Sequence, residues 1–149
     1  MHVMESFEQA GSRGFYRPVA QVSFEQAVDL VERAIAHARK LGLADLLVNT
    51  TRLTGFTPPT VFARYAMATK WVGAAGASLR VGIVARAELI DPQKIGVLVL
   101  QNRGGSGDVF TNEADALAWM EKRSRSTSTN ERTRESRESR EQHERRDQE

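Results

Sequence analysis

Residues 23–49 read SFEQAVDLVERAIAHARKLGLADLLVN, and this stretch decides the fold of the chain. Ser23 followed by Gln26 has the spacing of a capping box, in which each side chain accepts a hydrogen bond from the other residue's backbone N–H. Apolar residues then recur at steps of three and four, which predicts an amphipathic helix over 24–41. Gly42 ends this helix, because glycine readily adopts the left-handed conformation found after a last helical turn.

Alternating strands and helices continue on both sides of this stretch. Strands are predicted at 3–9, 15–23, 46–48, 79–85 and 108–110. Further helices are predicted to begin at Thr57-Pro58, at Asp91-Pro92 and after Asn112. This alternation predicts an α/β fold with a single open, mostly parallel sheet of four or five strands, mixed at its N-terminal edge, and about four helices.

Apolar residues are unevenly distributed along the chain. They make up 40% of the 149 residues, yet none of residues 123–149 is apolar. A segment without apolar side chains cannot offset the conformational entropy that it loses on ordering. We therefore predict one α/β domain at 1–122 and a disordered tail, rich in Arg, Glu and Ser, at 123–149.

Charge and residue usage exclude several classes of function. The chain has 21 Lys and Arg against 19 Asp and Glu, and both signs interleave in the tail, so no nucleic-acid binding is expected. Cysteine is absent and the three histidines lack metal-binding spacing, which predicts neither a metal centre nor a cofactor. No apolar run reaches the roughly 20 residues of a membrane span, and no signal peptide is evident, so we expect a cytoplasmic protein.

A cluster of threonines lies where a predicted strand passes into the next helix. Its members are Thr50, Thr51, Thr54 and Thr57. A helix N-terminus offers free backbone N–H groups and the positive end of the helix dipole, so it stabilises a bound anion or a phosphate group. Thr57 and Thr54 are therefore our candidates for a phosphorylation or anion site. The alternative is that Thr57 only caps the helix and the other hydroxyls satisfy the loop backbone.

Two other segments contain residue types found in phosphate-binding loops and catalytic sites. The glycines from Gly104 to Gly107 follow a helix and precede a strand, the reverse of a phosphate-binding loop, which predicts a flexible turn. Arg86, Glu88 and Asp91 follow strand 79–85, at the end of the sheet where ligands bind in open α/β folds. Without a partner base or nucleophile in the sequence, they predict no catalytic site.

Four stretches carry a family resemblance. They are Arg17-Pro18-Val19 leading to Ser23-Phe24-Glu25, Asp45 to Asn49, Leu53-Thr54-Gly55-Phe56, and the segment from Asn102 to Trp119. In these stretches the chain resembles the STAS-like domains of the SpoIIAA type, known from bacterial anti-sigma factor antagonists, in a divergent bacterial branch. The resemblance spans roughly residues 10–121 and consists of apolar patterns rather than catalytic signatures.

The resemblance implies a non-enzymatic regulatory module that binds a protein partner, such as a kinase of the anti-sigma type. Its implied interaction surface comprises Asn49, Arg52, Phe56 and Arg64. Such antagonists place a phosphorylatable Ser of an Asp-Ser-Ser-Gly type segment where the second helix begins. Here Thr57 supplies the hydroxyl at that place, and Asn49 stands where the family often has Asp. Both differences fit a relative that kept the fold but changed or lost the phosphorylation switch.

Two other functions remain open from the sequence. A small-molecule or lipid sensor on the same fold would use aromatic residues to line a cleft, and the candidates are Phe56, Phe62, Tyr65 and Trp71. These aromatics would otherwise belong to the core. A small hydrolase or transferase would use Asp91 and Glu88 with the threonine loop. The sequence determines neither the partner nor the oligomeric state.

Overall fold

The computed structural model of the chain describes residues 5–91, 93–102 and 106–122. The chain divides into two units, Met1–Leu117 and Ala118–Glu149. The sheet, the helices between its strands and the cavity described below belong to the first unit. The tail predicted to be disordered, 123–149, lies outside the described residues.

Strands and helices alternate through the first unit as the sequence predicts. The strands are β1 (Phe7–Ala10), β2 (Arg13–Tyr16), β3 (Ala20–Gln21), β4 (Asp45–Asn49), β5 (Leu53–Thr54), β6 (Arg80–Val84) and β7 (Ser106–Phe110). The helices are α1 (Phe24–Lys40), α2 (Val61–Ala75) and α3 (Ile95–Asn102), with a short 3-10 turn at Ala87–Leu89. Residues 113–122 are also helical and are called α4.

Five strands form the main sheet in the order β1-β2-β4-β6-β7. Only β1 pairs antiparallel, with β2, while β2, β4, β6 and β7 run parallel. The prediction of an α/β fold with a mostly parallel sheet, mixed at its first edge, is thus confirmed. Since each parallel strand lies beside the preceding one, right-handed crossovers put α1, α2 and α3 on one face of the sheet.

The core lies between this face of the sheet and the helices. Its fully buried members include Val31 and Ile35 of α1, Leu46 and Val48 of β4, and Leu79 before β6. At about 25 cal/mol per Å² of apolar surface removed from water, each such side chain stabilises the fold by roughly 1.5–3 kcal/mol.

The first helix forms for the reasons read from the sequence. The Ser23 hydroxyl accepts a hydrogen bond from the backbone N–H of Gln26 at 3.2 Å, and the Gln26 side chain accepts one from the Ser23 N–H at 3.0 Å. Gly42 has a φ of +71°, a left-handed conformation that costs other residues energy. The predicted capping box and helix stop are both confirmed.

The second helix begins later than predicted. Its N-cap is Thr60, whose hydroxyl accepts a hydrogen bond from the N–H of Ala63 at 3.1 Å. The prediction that Thr57 caps this helix is therefore wrong. Proline disfavours the helical conformation of the residue before it, so Pro59 keeps Pro58 out of the helix and delays its start.

The third helix also begins later than predicted. It starts at Ile95, and the Asp91 carboxylate accepts a hydrogen bond from the N–H of Gln93 at 3.3 Å, which is an Asx turn rather than a helix cap. Lys94, with a φ of +49°, separates this turn from the helix. At the far end of the helix, Ser106 and Gly107 belong to β7, so they are strand rather than flexible turn. Gly104 and Gly105 lie outside the described residues.

The predicted strand 15–23 is broken in two. β2 ends at Tyr16 and β3 covers Ala20–Gln21, with Pro18 between them. Proline cannot donate to a strand ladder, which accounts for the break. β3 instead pairs in parallel with β5, in the segment read from sequence as a loop.

Candidate functional site

A cavity of about 150 Å³ lies between the main sheet and helices α1 to α3. Its walls are almost entirely apolar. They include Val28 and Val31 of α1, Met67, Ala68, Trp71 and Ala75 of α2, Val81 and Ile83 of β6, and Val109 of β7. A cavity of about this volume has room for a molecule the size of benzene.

Small residues create this space. Leu46, Val81 and Gly107 pair across β4, β6 and β7, so they share the face of the sheet that meets the helices. The last member of this row has no side chain. Two small residues of α2, Ala68 and Ala75, also line the cavity and are 3% and 4% exposed. Larger residues at these positions would fill the gap, so the cavity follows from the choice of side chains.

Aromatic residues form part of the cavity wall. Phe24 and Phe56 contact each other edge to face, with ring centroids 6.0 Å apart. The Trp71 indole N–H donates to the Val28 carbonyl at 3.1 Å, which joins α2 to α1. Of the four aromatics predicted to line a cleft, Phe56 and Trp71 do so. Phe62 and Tyr65, 83% and 47% exposed, do not.

Charged side chains gather at one part of the cavity. Arg64 of α2 lines it, and its Nη1 donates to the Leu89 carbonyl at 2.6 Å. Lys94 and Asp108 also line it and form an ion pair at 2.9 Å. The Lys94 side chain is 45% exposed, so the lining reaches solvent at this residue. We call the charged lining residues Arg64, Asp91, Lys94 and Asp108 the mouth of the cavity.

The threonines predicted as an anion site differ in their surroundings. Thr57 is exposed and lies three residues before the cap of α2, and Thr54 is exposed in β5. The Thr50 hydroxyl donates to the Val84 carbonyl at 2.9 Å, and the Thr51 hydroxyl donates to Asn49 at 2.6 Å. Thr50 therefore satisfies strand backbone and Thr51 holds the Asn49 side chain, while phosphorylation of Thr57 or Thr54 stays a prediction.

A polar cluster joins the ends of β2 and β4 to the start of α4. Arg17 donates two hydrogen bonds to Glu113, both at 2.9 Å, and the Asn49 side-chain N–H donates to Glu113 at 2.8 Å. We call these three residues the Glu113 clasp. The hydrogen bond from Arg17 is the main cause that lowers the pKa of Glu113 from 4.5 to about 2.

The clasp gives a physical reason for asparagine at position 49. The side-chain oxygen Oδ1 of Asn49 accepts a hydrogen bond from the backbone N–H of Thr51 at 3.0 Å, so the side-chain nitrogen Nδ2 is turned towards Glu113. Aspartate here would bring a second carboxylate against that of Glu113, and like charges repel at this distance. Neither Arg17 nor Glu113 was singled out from sequence, since they lie 96 residues apart.

The predicted interaction residues occupy three different environments. Asn49 is part of the clasp and Arg52 is exposed in the loop before β5. Phe56 and Arg64 both line the cavity. The fold therefore brings together two of the four residues of this set, at the cavity.

Residues weighed for acid/base chemistry are engaged with near neighbours. Glu88 pairs with Arg86 at 3.5 Å, and Asp91 holds the turn before α3. Within residues 5–91, 93–102 and 106–122, no group of three His, Asp or Glu side chains is placed to hold a metal ion. No helix in the described part of the chain has the length and apolar character needed to cross a membrane.

Neither protein-family models, nor curated proteins, nor solved structures gave a match to this chain.

Proposed function

We propose that this chain is a non-enzymatic binding module whose cavity holds a small apolar ligand. The apolar cavity of about 150 Å³ beneath α2 is the observation that carries the proposal. An empty apolar space forgoes dispersion contacts, at a cost of roughly 24 cal/mol per Å³ in comparable cavities. A ligand of matching shape would restore those contacts and so offset the energetic cost of the cavity.

Two probes of different shape, benzene and 1-hexanol, test this function. They would be titrated into protein with labelled Ile and Val methyl groups. We expect saturable shifts of Ile83 and Val109, which line the cavity, and none at Val19, which is 67% exposed elsewhere. Absence of saturable shifts with both probes would overturn the proposal.

A pair of matched variants ties binding to the cavity. Ala68→Leu fills it from α2, whereas Ala66→Leu makes the same change at an exposed position of the same helix. We expect the first variant to lose binding of both probes and the second to bind as wild type. Equal binding by the two variants would place the probes elsewhere.

We propose as a second function that the first turns of α2 bind a protein partner. Val61, Phe62 and Tyr65 are 59%, 83% and 47% exposed, and α2 has no acidic residue in its first turn. Exposed apolar patches of this kind mark interaction sites. The STAS-like sequence pattern suggests a regulatory module, with a kinase of the anti-sigma type as the partner.

Capture experiments with purified kinase of that type test the second function. Phe62→Ser removes the most exposed aromatic, and Val19→Ser is the matched control because Val19 is 67% exposed outside α2. We expect capture to be lost in the first variant and kept in the second. Thr57→Glu would show whether a negative charge before α2 regulates binding. Capture that is indifferent to Phe62 would count against this surface.

A further inference from the structure

We infer that the ligand of the cavity is an amphipathic carboxylate whose head group binds Arg64. The inference rests on the proposed binding function and adds the chemical class of the ligand. It starts from the uneven surroundings of the charged groups at the mouth. The apolar wall selects the tail of a ligand, and these charges select its head.

Some of the charges at the mouth are paired with each other. Lys94 and Asp108 form an ion pair at 2.9 Å, while the Asp91 carboxylate, which also lines the cavity, accepts a hydrogen bond from the neutral backbone N–H of Gln93. Arg64 differs from Lys94, because no carboxylate of the described residues forms an ion pair with it. The mouth therefore offers one guanidinium that forms no ion pair with the described residues.

The position of Arg64 suits a bound carboxylate. Its one hydrogen bond within the described residues goes from Nη1 to the Leu89 carbonyl, which holds the planar group in place. A guanidinium has five N–H donors, so others remain for a ligand. Arginine binds a carboxylate through two parallel hydrogen bonds, and such charged bonds are about twice as strong as neutral ones.

The size of the cavity limits the rest of the ligand. A volume of about 150 Å³ accommodates a benzene-sized ring or an aliphatic chain of similar bulk. A carboxylate placed at the mouth would keep part of its hydration, while burial deep in the apolar wall would cost it several kcal/mol. A short aliphatic or an aromatic carboxylate satisfies both conditions.

Three probes with the same six-carbon chain test this inference: hexanoate, 1-hexanol and hexylammonium. In wild-type protein at pH 7 we expect hexanoate to bind about tenfold more tightly than 1-hexanol, given the strength of charged hydrogen bonds. Tighter binding of hexylammonium would mean that the carboxylates of the mouth determine its preference, and would overturn the inference.

Variants at the mouth separate this inference from the proposed function. Arg64→Gln should remove the preference for hexanoate over 1-hexanol. Arg52→Gln, at an exposed arginine outside the cavity, is the matched control and should bind all probes as wild type. Equal affinity of wild type for hexanoate and 1-hexanol would overturn the inference alone. Failure of both to bind would overturn the proposed function with it.

Discussion

The Glu113 clasp predicts a stability that depends on pH through one carboxyl group. Arg17 and Asn49 both donate to the ionised form of Glu113 and lower its pKa from 4.5 to about 2. In the unfolded chain this carboxyl returns to its ordinary pKa. Its ionised form therefore stabilises the fold above about pH 4.5, and this contribution is lost as the pH falls towards 2.

The magnitude follows from the two pKa values. Each unit of difference is worth about 1.4 kcal/mol, so the gap between 4.5 and about 2 sets an upper limit of ~3 kcal/mol. The side chains of Glu113 and Arg17 are 28% and 42% exposed, and water screens exposed pairs. We therefore expect Glu113→Gln to lower the free energy of unfolding by about 1–2 kcal/mol at pH 7.

Urea unfolding of both proteins between pH 7 and pH 3 measures this effect. Glutamine does not titrate, so the difference between wild type and Glu113→Gln should be constant above about pH 5.5 and fall by roughly half at pH 3. Glu25→Gln is the matched control: Glu25 also lies in the first turn of a helix, but forms no ion pair within the described residues. It should cost a few tenths of a kcal/mol.

Two results would refute the reasoning about the clasp. One is a Glu113→Gln variant whose loss of stability is no larger than that of Glu25→Gln. The other is a loss that stays the same from pH 7 to pH 3, because removal of packing alone does not depend on the ionisation of Glu113.

Four further substitutions, one of them with a comparison variant, have expected outcomes that differ in sign or size. Gly55→Ala should lower the free energy of unfolding by ~1–3 kcal/mol, because Gly55 has a φ of +101° and a Cβ there would lie 2.8 Å from the Val22 carbonyl oxygen. Gly73→Ala should instead raise it by about 0.5–1 kcal/mol, because a Cβ at this position of α2 would meet no atom within 4 Å. Thr60→Ala should cost about 1 kcal/mol in urea unfolding, and an equal loss in Thr57→Ala would contradict the observed helix cap. Asp45→Asn removes a buried carboxylate held by two arginines. It should lower the free energy of unfolding by about 2–4 kcal/mol, measured as a lower melting temperature. An unchanged melting temperature would contradict this expectation.

Local signals in the sequence were sufficient for the helices and strands whose ends depend on neighbouring residues. The capping box of α1 involves residues three apart, and Gly42 ends that helix through its own backbone conformation. Where two local signals conflict, the sequence was misread. Thr57-Pro58 has the form of a helix start, but the adjacent Pro59 moved the cap to Thr60.

The candidate site was predicted less completely than the fold. Phe56, Trp71 and Arg64 were singled out as functional residues and do line the cavity. Phe62 was assigned to the same cleft, yet points into solvent at 83% exposure. The helical pattern of α2 could not assign its sides, because the helix is apolar on nearly every face and periodicity then carries little information.

The sequence by itself determined the α/β class, the mostly parallel sheet and the presence of a helix in each crossover, since these follow from hydrophobic periodicity and capping residues close in the chain. Only the tertiary structure decided which side chains meet. It brought Glu113 to Arg17 across 96 residues, and it placed Gly107 of β7 and the alanines of α2 in the lining of one cavity. Contacts of this kind depend on strand register and helix packing, which link residues distant in sequence and are not set by the local pattern of either partner.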